Sequence, residues 1–233
     1  MHTHDRTAAA AAAAAAATAT ATATDATPSA REWWEARYAE RDGIWSGRVN
    51  AVLASVTWGL PVGRALDLGC GEGGDVVWLA GQGWDVTGID LSVTALQRGS
   101  RAAVATGVED RTAFVAADLA RWDTAERFDL VTASFLQSWP VEIPRAEILR
   151  RAAGFVASGG HLLVTAHAAP PHDDLPPELH GYRFPSPDDD LAALQLDDRW
   201  DVLVAEVRPR TAATPEGDAH EVLDSVVLAR RTR

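Results

Sequence analysis

Residues able to do chemistry gather at two places in this chain of 233 residues. The first is Asp67-Leu68-Gly69-Cys70-Gly71-Glu72-Gly73-Gly74, followed at a distance by Asp90. Glycines at 69, 71, 73 and 74 let backbone approach a ligand where a side chain would hold it off. An apolar run, Ala65 to Leu68, precedes them, and a helical face of Val76, Val77, Leu79 and Ala80 follows. The turn therefore lies at a helix N-terminus, where free amides favour electron-rich groups. A second strand, Trp84 to Ile89, delivers Asp90, and the unit reads as a cradle for a nucleotide cofactor. The second place is the end of the apolar run His161 to Ala166, which delivers His167, a side chain able to accept a proton near neutral pH.

Two cofactors fit the glycines. Gly69, Gly71 and Gly74 satisfy G-x-G-x-x-G with an acid downstream, as for a nicotinamide dinucleotide. The full string resembles motif I of the class I S-adenosylmethionine-dependent methyltransferases, with an acid two residues before the first glycine. A dinucleotide carries an anionic pyrophosphate that acids in the loop disfavour. S-adenosylmethionine carries an ammonium and no phosphate, so Asp67 and Glu72 favour it. The resemblance implies that Asp67, Gly69 and Gly71, with Cys70 between them, line the methionine part. It implies that Asp90 takes both ribose hydroxyls, with Leu91 beside it, and that Asp118 and Leu119 meet the adenine. Ser134, at the end of a fourth strand, belongs to the same lining. For Cys70 a small packing role, and for Asp118 a helix-capping role, are the structural alternatives.

Upstream, Ser29-x-x-Glu32 has the spacing of a capping box and opens a helix carrying Trp33, Trp34, Arg37, Tyr38 and Arg41. The segment WWEARYAERDGIWSGRVNAVL resembles the "W-x-x-R-Y … W-S-G-x-x-N" lead of small bacterial methyltransferases similar to the tellurite and thiopurine branches. In such proteins this helix caps the cofactor. The resemblance then places Arg37 at the cofactor carboxylate and Tyr38 or Trp45 beside the methyl group. Packing of these aromatics on the sheet is the alternative. A helix from Asn50 to Trp58 leads into the first strand, and Ser92 caps another that runs to about Ala105.

The third strand is Thr112 to Ala117 and the fourth is Phe128 to Ala133, which runs into Ser134-Phe135-Leu136-Gln137-Ser138-Trp139-Pro140. This is not the Asn/Asp-Pro-Pro-Tyr/Phe motif with which many DNA, RNA and protein amide methyltransferases hold a planar nitrogen. Many small-molecule relatives carry a histidine near the place of Gln137; an amide there orients a substrate but accepts no proton. His167 is then the leading proton acceptor, with a loop histidine as the alternative, and the other histidines show no metal-ligand spacing. Pro144 opens a helix through Ala157 that Gly159-Gly160 is expected to end. Residues 169–199 are rich in proline and acid and read as a lid or insert, with a short helix from Ser186 toward Leu196. Trp200 to Arg208 and Glu221 to Arg230 read as a hairpin about Pro215-Glu216-Gly217-Asp218.

These elements predict one α/β domain: a Rossmann-like, seven-stranded methyltransferase sheet, mostly parallel, closed by a C-terminal antiparallel hairpin. Residues 28–233 form it, with cap helices over 28–58; residues 1–27, an alanine- and threonine-rich tract, read as a disordered tail rather than a signal peptide. All 21 basic residues are arginine, which excludes Schiff-base and pyridoxal chemistry, a Walker loop and the Tyr-x-x-x-Lys of many reductases. A net charge of −12 disfavours nucleic acid as partner and suits a small or cationic substrate. Cys70 is the one cysteine, so no intrachain disulfide forms and a reducing, cytoplasmic setting fits. No stretch suggests a membrane span, and monomer and homodimer both remain open. The expected activity is methyl transfer to a small-molecule nucleophile. A nicotinamide oxidoreductase, a protein or nucleic-acid methyltransferase and a cofactor-binding module without catalysis are the rivals.

Overall fold

The computed structural model describes residues 28–170, 175, 177–213 and 219–232; the expected tail and the tip of the C-terminal hairpin lie outside the described residues. The chain enters through α1 (Ala30–Ala39) and α2 (Ala51–Thr57), then alternates β1 (Arg64–Leu68), α3 (Gly74–Gly81), β2 (Asp85–Asp90), α4 (Val93–Thr106) and β3 (Thr112–Ala116). It continues through β4 (Phe128–Ser134), α5 (Arg145–Phe155), β5 (Val156–His167), α6 (Pro187–Leu194), β6 (Trp200–Ala213) and β7 (Ala219–Arg231). The seven strands form one sheet in the order β3-β2-β1-β4-β5-β7-β6. Pairing is parallel from β3 to β5 and antiparallel where β7 joins β5 and β6. The predicted fold class is the observed one.

β1 is buried from Ala65 to Leu68 because helices cover both faces of the sheet, which is why it reads as an apolar run rather than an alternation. Leu66, Leu68, Val131 and Ala133 pack toward Ile148, Leu149, Ala152 and Phe155 of α5 and Leu194 of α6. Ala65, Leu130 and Leu163 pack the other way, with Val52 and Leu53 of α2 and Val76 and Leu79 of α3. By that alternation Asp67 and Thr132 face the α2–α3 layer. β1 pairs with β2 on one side and β4 on the other, so the strand order reverses at β1 and a crevice opens above its carboxyl end.

Two boundaries differ from expectation. The helix after Pro144 stops at Phe155, and β5 begins at Val156, so Gly159 and Gly160 lie within the strand instead of ending the helix. Val156 pairs with Phe128, the register then shifts before Leu130 meets His161, and Gly159 at φ +81 supplies the left-handed residue that this irregularity requires. The hairpin arms also run longer than the apolar pattern suggests, because pairing continues past Arg208 and Glu221 to Ala213 and Ala219. Within the expected lid, Leu194 of α6 is buried in the core and Arg145 of α5 forms an ion pair with the buried Asp190. That helix is a layer of the domain rather than a lid. Among the described residues no helix is long and apolar enough to cross a membrane.

Candidate active site at the carboxyl edge of the sheet

The glycine turn holds its shape by backbone geometry. Gly69 and Gly71 have φ of +76 and +52, and a Cβ on them would lie 2.6 Å from Leu136 Cδ1 and 2.8 Å from Tyr38 Oη. Three carboxylates surround the turn. Asp67 is buried at the end of β1, where Thr132 donates to its Oδ1 at 2.7 Å. Asp75, in the first turn of α3, accepts from the Asn50 amide at 2.7 Å, and Asn50 Nδ2 donates to Thr165 Oγ1 at 2.8 Å. Asp90 closes β2 and accepts from the amides of Gly71 and Ser92, both at 2.9 Å, which leaves lone pairs on each oxygen for further donors. Burial raises all three carboxyls above their ordinary range; for Asp67, burial first and the neighbouring Asp75 second push it up to about 8. Ser134 Oγ is buried beside Asp75 without completing a hydrogen bond. A ligand bringing positive charge and several donors would relieve this cluster, whereas a pyrophosphate would aggravate it.

The N-terminal helix bonds to the loops that follow β2 and β4. Its capping box forms, with Ser29 N donating to Glu32 at 2.9 Å and Glu32 N to Ser29 Oγ at 3.3 Å. Glu35 receives Ser92 Oγ at 2.7 Å, Arg31 donates to the Leu91 carbonyl at 3.0 Å, and Trp34 Nε1 donates to Ser138 Oγ at 3.0 Å. The helix thus spans from the β2 edge to the loop after β4. Tyr38 is buried over Gly71 and accepts from Trp45 Nε1 at 3.0 Å. Burial raises its phenol, so Tyr38 acts as a neutral wall and donor. Arg37 is buried with Nη1 on Glu40 at 2.8 Å, and its other donors meet no partner among the described residues. Glu72 does not face the ligand crevice as a free charge. Its carboxylate takes the amides of Ile44 and Trp45, at 3.1 and 3.0 Å, and the Arg98 guanidinium at 2.8 Å. It tethers the cap, and the charge argument for the cofactor rests on Asp67, Asp75 and Asp90.

The remaining predicted cofactor positions divide. Cys70 Sγ packs where a Cβ on Gly88 would sit, and burial keeps the thiol well above its usual range, so it is a packing group. Leu119 has its side chain in the core. Asp118 is half-exposed and caps its own turn through the Ala120 amide at 3.0 Å.

On the β4–β5 side, Phe135 takes a left-handed φ of +53 and stacks on His167 with ring centroids 4.3 Å apart. A non-glycine residue there marks a position the surroundings enforce. Gln137 is committed to the backbone of His167: its Oε1 accepts the His167 amide at 2.7 Å, and Nε2 donates to the His167 carbonyl at 3.3 Å and to Tyr182 Oη at 3.0 Å. Gln137 therefore ties the His167 backbone to Tyr182. Tyr182 makes edge contacts with Trp139 and Phe184, which gives this side an aromatic wall. His167 is 41% exposed and faces the buried Asp224 of β7, which pairs in turn with Arg210 of β6 at 2.5 Å. Sequence reasoning missed Asp75, Asn50, Tyr182, Asp224 and Arg210. Asp224 had one visible signal, an acid inside the apolar run VLDSVVLA. An open hollow of about 590 Å³, lined by Gly83, Asp85, Gly107 and Arg111 among others, lies at the opposite end of β2, away from these groups.

The family profile described as "Methyltransferase domain" matches residues 65–160. A curated relative, the "Probable thiol methyltransferase 2" of Arabidopsis thaliana, is 36% identical over 101 residues, 42% of this chain and 45% of the relative. The match spans about half the length of such relatives. Among solved structures, one from work on the conversion of a disulfide bond into a thioacetal group during echinomycin biosynthesis has a TM-score of 0.67 at 24% identity, over 87% of this chain and 93% of that one. The N-methyltransferase NodS from Bradyrhizobium japonicum WM9, in complex with S-adenosyl-L-homocysteine, has a TM-score of 0.63 at 16% identity, over 87% and 99%. At these identities the two structures speak for the fold.

Proposed function

From the premise that this chain carries a class I S-adenosylmethionine-dependent methyltransferase domain, we propose that the protein transfers the cofactor's methyl group to a small molecule through a sulfur nucleophile. The observation that carries this reading is the cluster of three carboxyls, the buried Asp67 and the half-buried Asp75 and Asp90, about a turn whose glycines bring backbone to the ligand. The relative named for a thiol supports sulfur as the acceptor atom. Bound S-adenosylmethionine supplies an electrophilic methyl carbon and its own leaving group.

This chain's residues bind, orient and exclude water. Asp67 would take the ammonium, Arg37 the carboxylate and Asp90 the ribose hydroxyls, with Gly69, Gly71, Leu91, Asp118, Leu119 and Ser134 along the cofactor. Tyr38 and Trp45 close the crevice from above. Alignment is the main contribution such a protein makes, worth effective molarities of roughly 10⁵ M or more. Residues 28–58 serve as the cap, and the segment around Tyr182 as the acceptor-side lid. A binding module without catalysis would have no need of an exposed imidazole at the acceptor side.

The test is incubation with methyl-labelled S-adenosylmethionine and a panel of small thiols, alcohols and amines, followed by mass spectrometry. Labelled methyl thioethers are expected. Label found only on nitrogen or oxygen would reject sulfur, and cofactor bound without any transfer would favour the binding module.

A further inference from the structure

The groups behind His167 point to the kind of acceptor. The imidazole stands at the carboxyl end of β5, stacked on Phe135, with 41% of its side chain exposed. Its Nδ1 lies 3.6 Å from Asp224 Oδ1, an ion-pair separation somewhat longer than a hydrogen bond. Such contacts are often long before a substrate is bound. Asp224 is wholly buried on β7, and its other oxygen is held by Arg210 Nε at 2.5 Å. Arg210 also lies over the Phe135 ring, 5.6 Å from its centroid. Gln137 grips the His167 backbone by both N–H and C=O. Among the described residues the charged groups facing the ring are therefore Asp224 from β7 and Arg210 from β6; the loop after β4 offers the uncharged Phe135 and Gln137, with Tyr182 behind Gln137.

Resting on the methyl-transfer reading, we propose that Asp224 and Arg210 are positioning residues that make His167 the proton acceptor for a neutral thiol. A buried carboxylate opposite Nδ1 fixes the tautomer with the proton on Nδ1, which leaves the Nε2 lone pair toward the crevice. The acceptor S–H gives its proton to Nε2. The sulfur pair thus freed forms the new bond to the methyl carbon as that carbon's bond to the sulfonium breaks, leaving a neutral thioether. The imidazolium formed sits beside the Asp224 carboxylate, and the exposed ring returns its proton to water. An acceptor already anionic, such as thiocyanate, needs none of this.

The apo protein provides the first test. Ring ¹⁵N spectra should show His167 with its neutral proton on Nδ1, and Asp224→Asn should remove that preference, because the carboxylate opposite Nδ1 is gone. Turnover provides the second. His167→Gln and Asp224→Asn should each lower kcat/KM for a thiol 100-fold or more below the thiol's own pKa. The loss should shrink as pH rises above that pKa, with the S-adenosylmethionine Kd unchanged. If the Asp224→Asn protein does not fold, His167→Gln still decides, since its side chain is partly exposed. A neutral ring protonated on Nε2, or an unaltered pH profile in His167→Gln, would overturn the proposal while leaving thiol methylation standing. A wild-type protein that methylates no thiol would fail the broader reading instead.

Discussion

The two halves of the crevice solve opposite problems. Over β1 and β2 the groups are carboxyls buried against the sheet, each with fixed hydrogen-bond donors, under a cap tied down by Glu35, Glu72 and Arg98. Over β4, β5 and β7 the proposed proton acceptor is exposed and only its support is buried: His167 is 41% exposed while its neighbour Asp224 is fully buried. A site for a fixed cofactor can afford preformed, desolvated charge, because the ligand always brings the same complement. A site where a proton must leave needs a path to water. The comparison teaches that exposure, more than residue type, separates the binding half from the reacting half.

Substitutions should therefore affect one half without the other. The largest effect expected is from Asp90→Ala, which removes an ionised acceptor whose charge-assisted bonds are worth about 1.5–3 kcal/mol each, and should weaken S-adenosylmethionine roughly 10- to 150-fold in calorimetry. The ring ¹⁵N signals of His167 should keep their tautomer pattern. Gly71→Ala comes next. A residue with a side chain at φ +52 costs about 1–2 kcal/mol, and its Cβ would press on Tyr38, so a loss of roughly 5- to 30-fold in cofactor affinity is expected. Gln137→Leu tests the other half: losing its bonds to His167 and Tyr182 should raise the acceptor KM about 2- to 10-fold, with cofactor Kd unchanged. Loss of cofactor affinity in that variant would mean that the halves are coupled.

The smallest effect concerns pH. Folded Asp67, pushed up to about 8, holds a proton that the unfolded chain has released above its ordinary carboxylate range, and Asp75 and Asp90 are shifted in the same direction, so the folded state binds more protons there. Stability then falls as pH rises from that range toward about 8, the folded value of Asp67. The melting temperature of the apo protein should drop by a few degrees between pH 6 and 8.5, and saturating S-adenosylmethionine should remove the drop. A flat apo profile would show that these carboxyls are ionised throughout.

Local signals carried most of the fold. The glycine turn, the Ser29–Glu32 capping box and the apolar runs of β1, β2, β4 and β5 each announce themselves within a few residues. The helix end after Pro144 was misplaced because Gly159-Gly160 resembles a helix stop, while the pairing of Val156 with Phe128 that starts β5 is a long-range contact. The same reason hid the acceptor half. His167 was legible as a strand end, but Asp224 reaches it only through antiparallel pairing of β5 with β7, and Arg210 only through the next pairing outward. Glu72 was legible as an acid in the loop, yet its bonds to Ile44, Trp45 and Arg98 turn it to the cap.

The account stands most directly on a calorimetric titration with S-adenosylmethionine and with NADH, repeated between pH 6 and 8.5. A cation bound by ionised Asp67 lowers the carboxyl's pKa, so binding should release protons and tighten as pH rises toward about 8. The expected affinity is micromolar, on the order of −8 kcal/mol, with NADH weaker throughout. Tighter binding of NADH, or S-adenosylmethionine binding that weakens as pH rises, would contradict a cradle built of buried acids for a cationic cofactor.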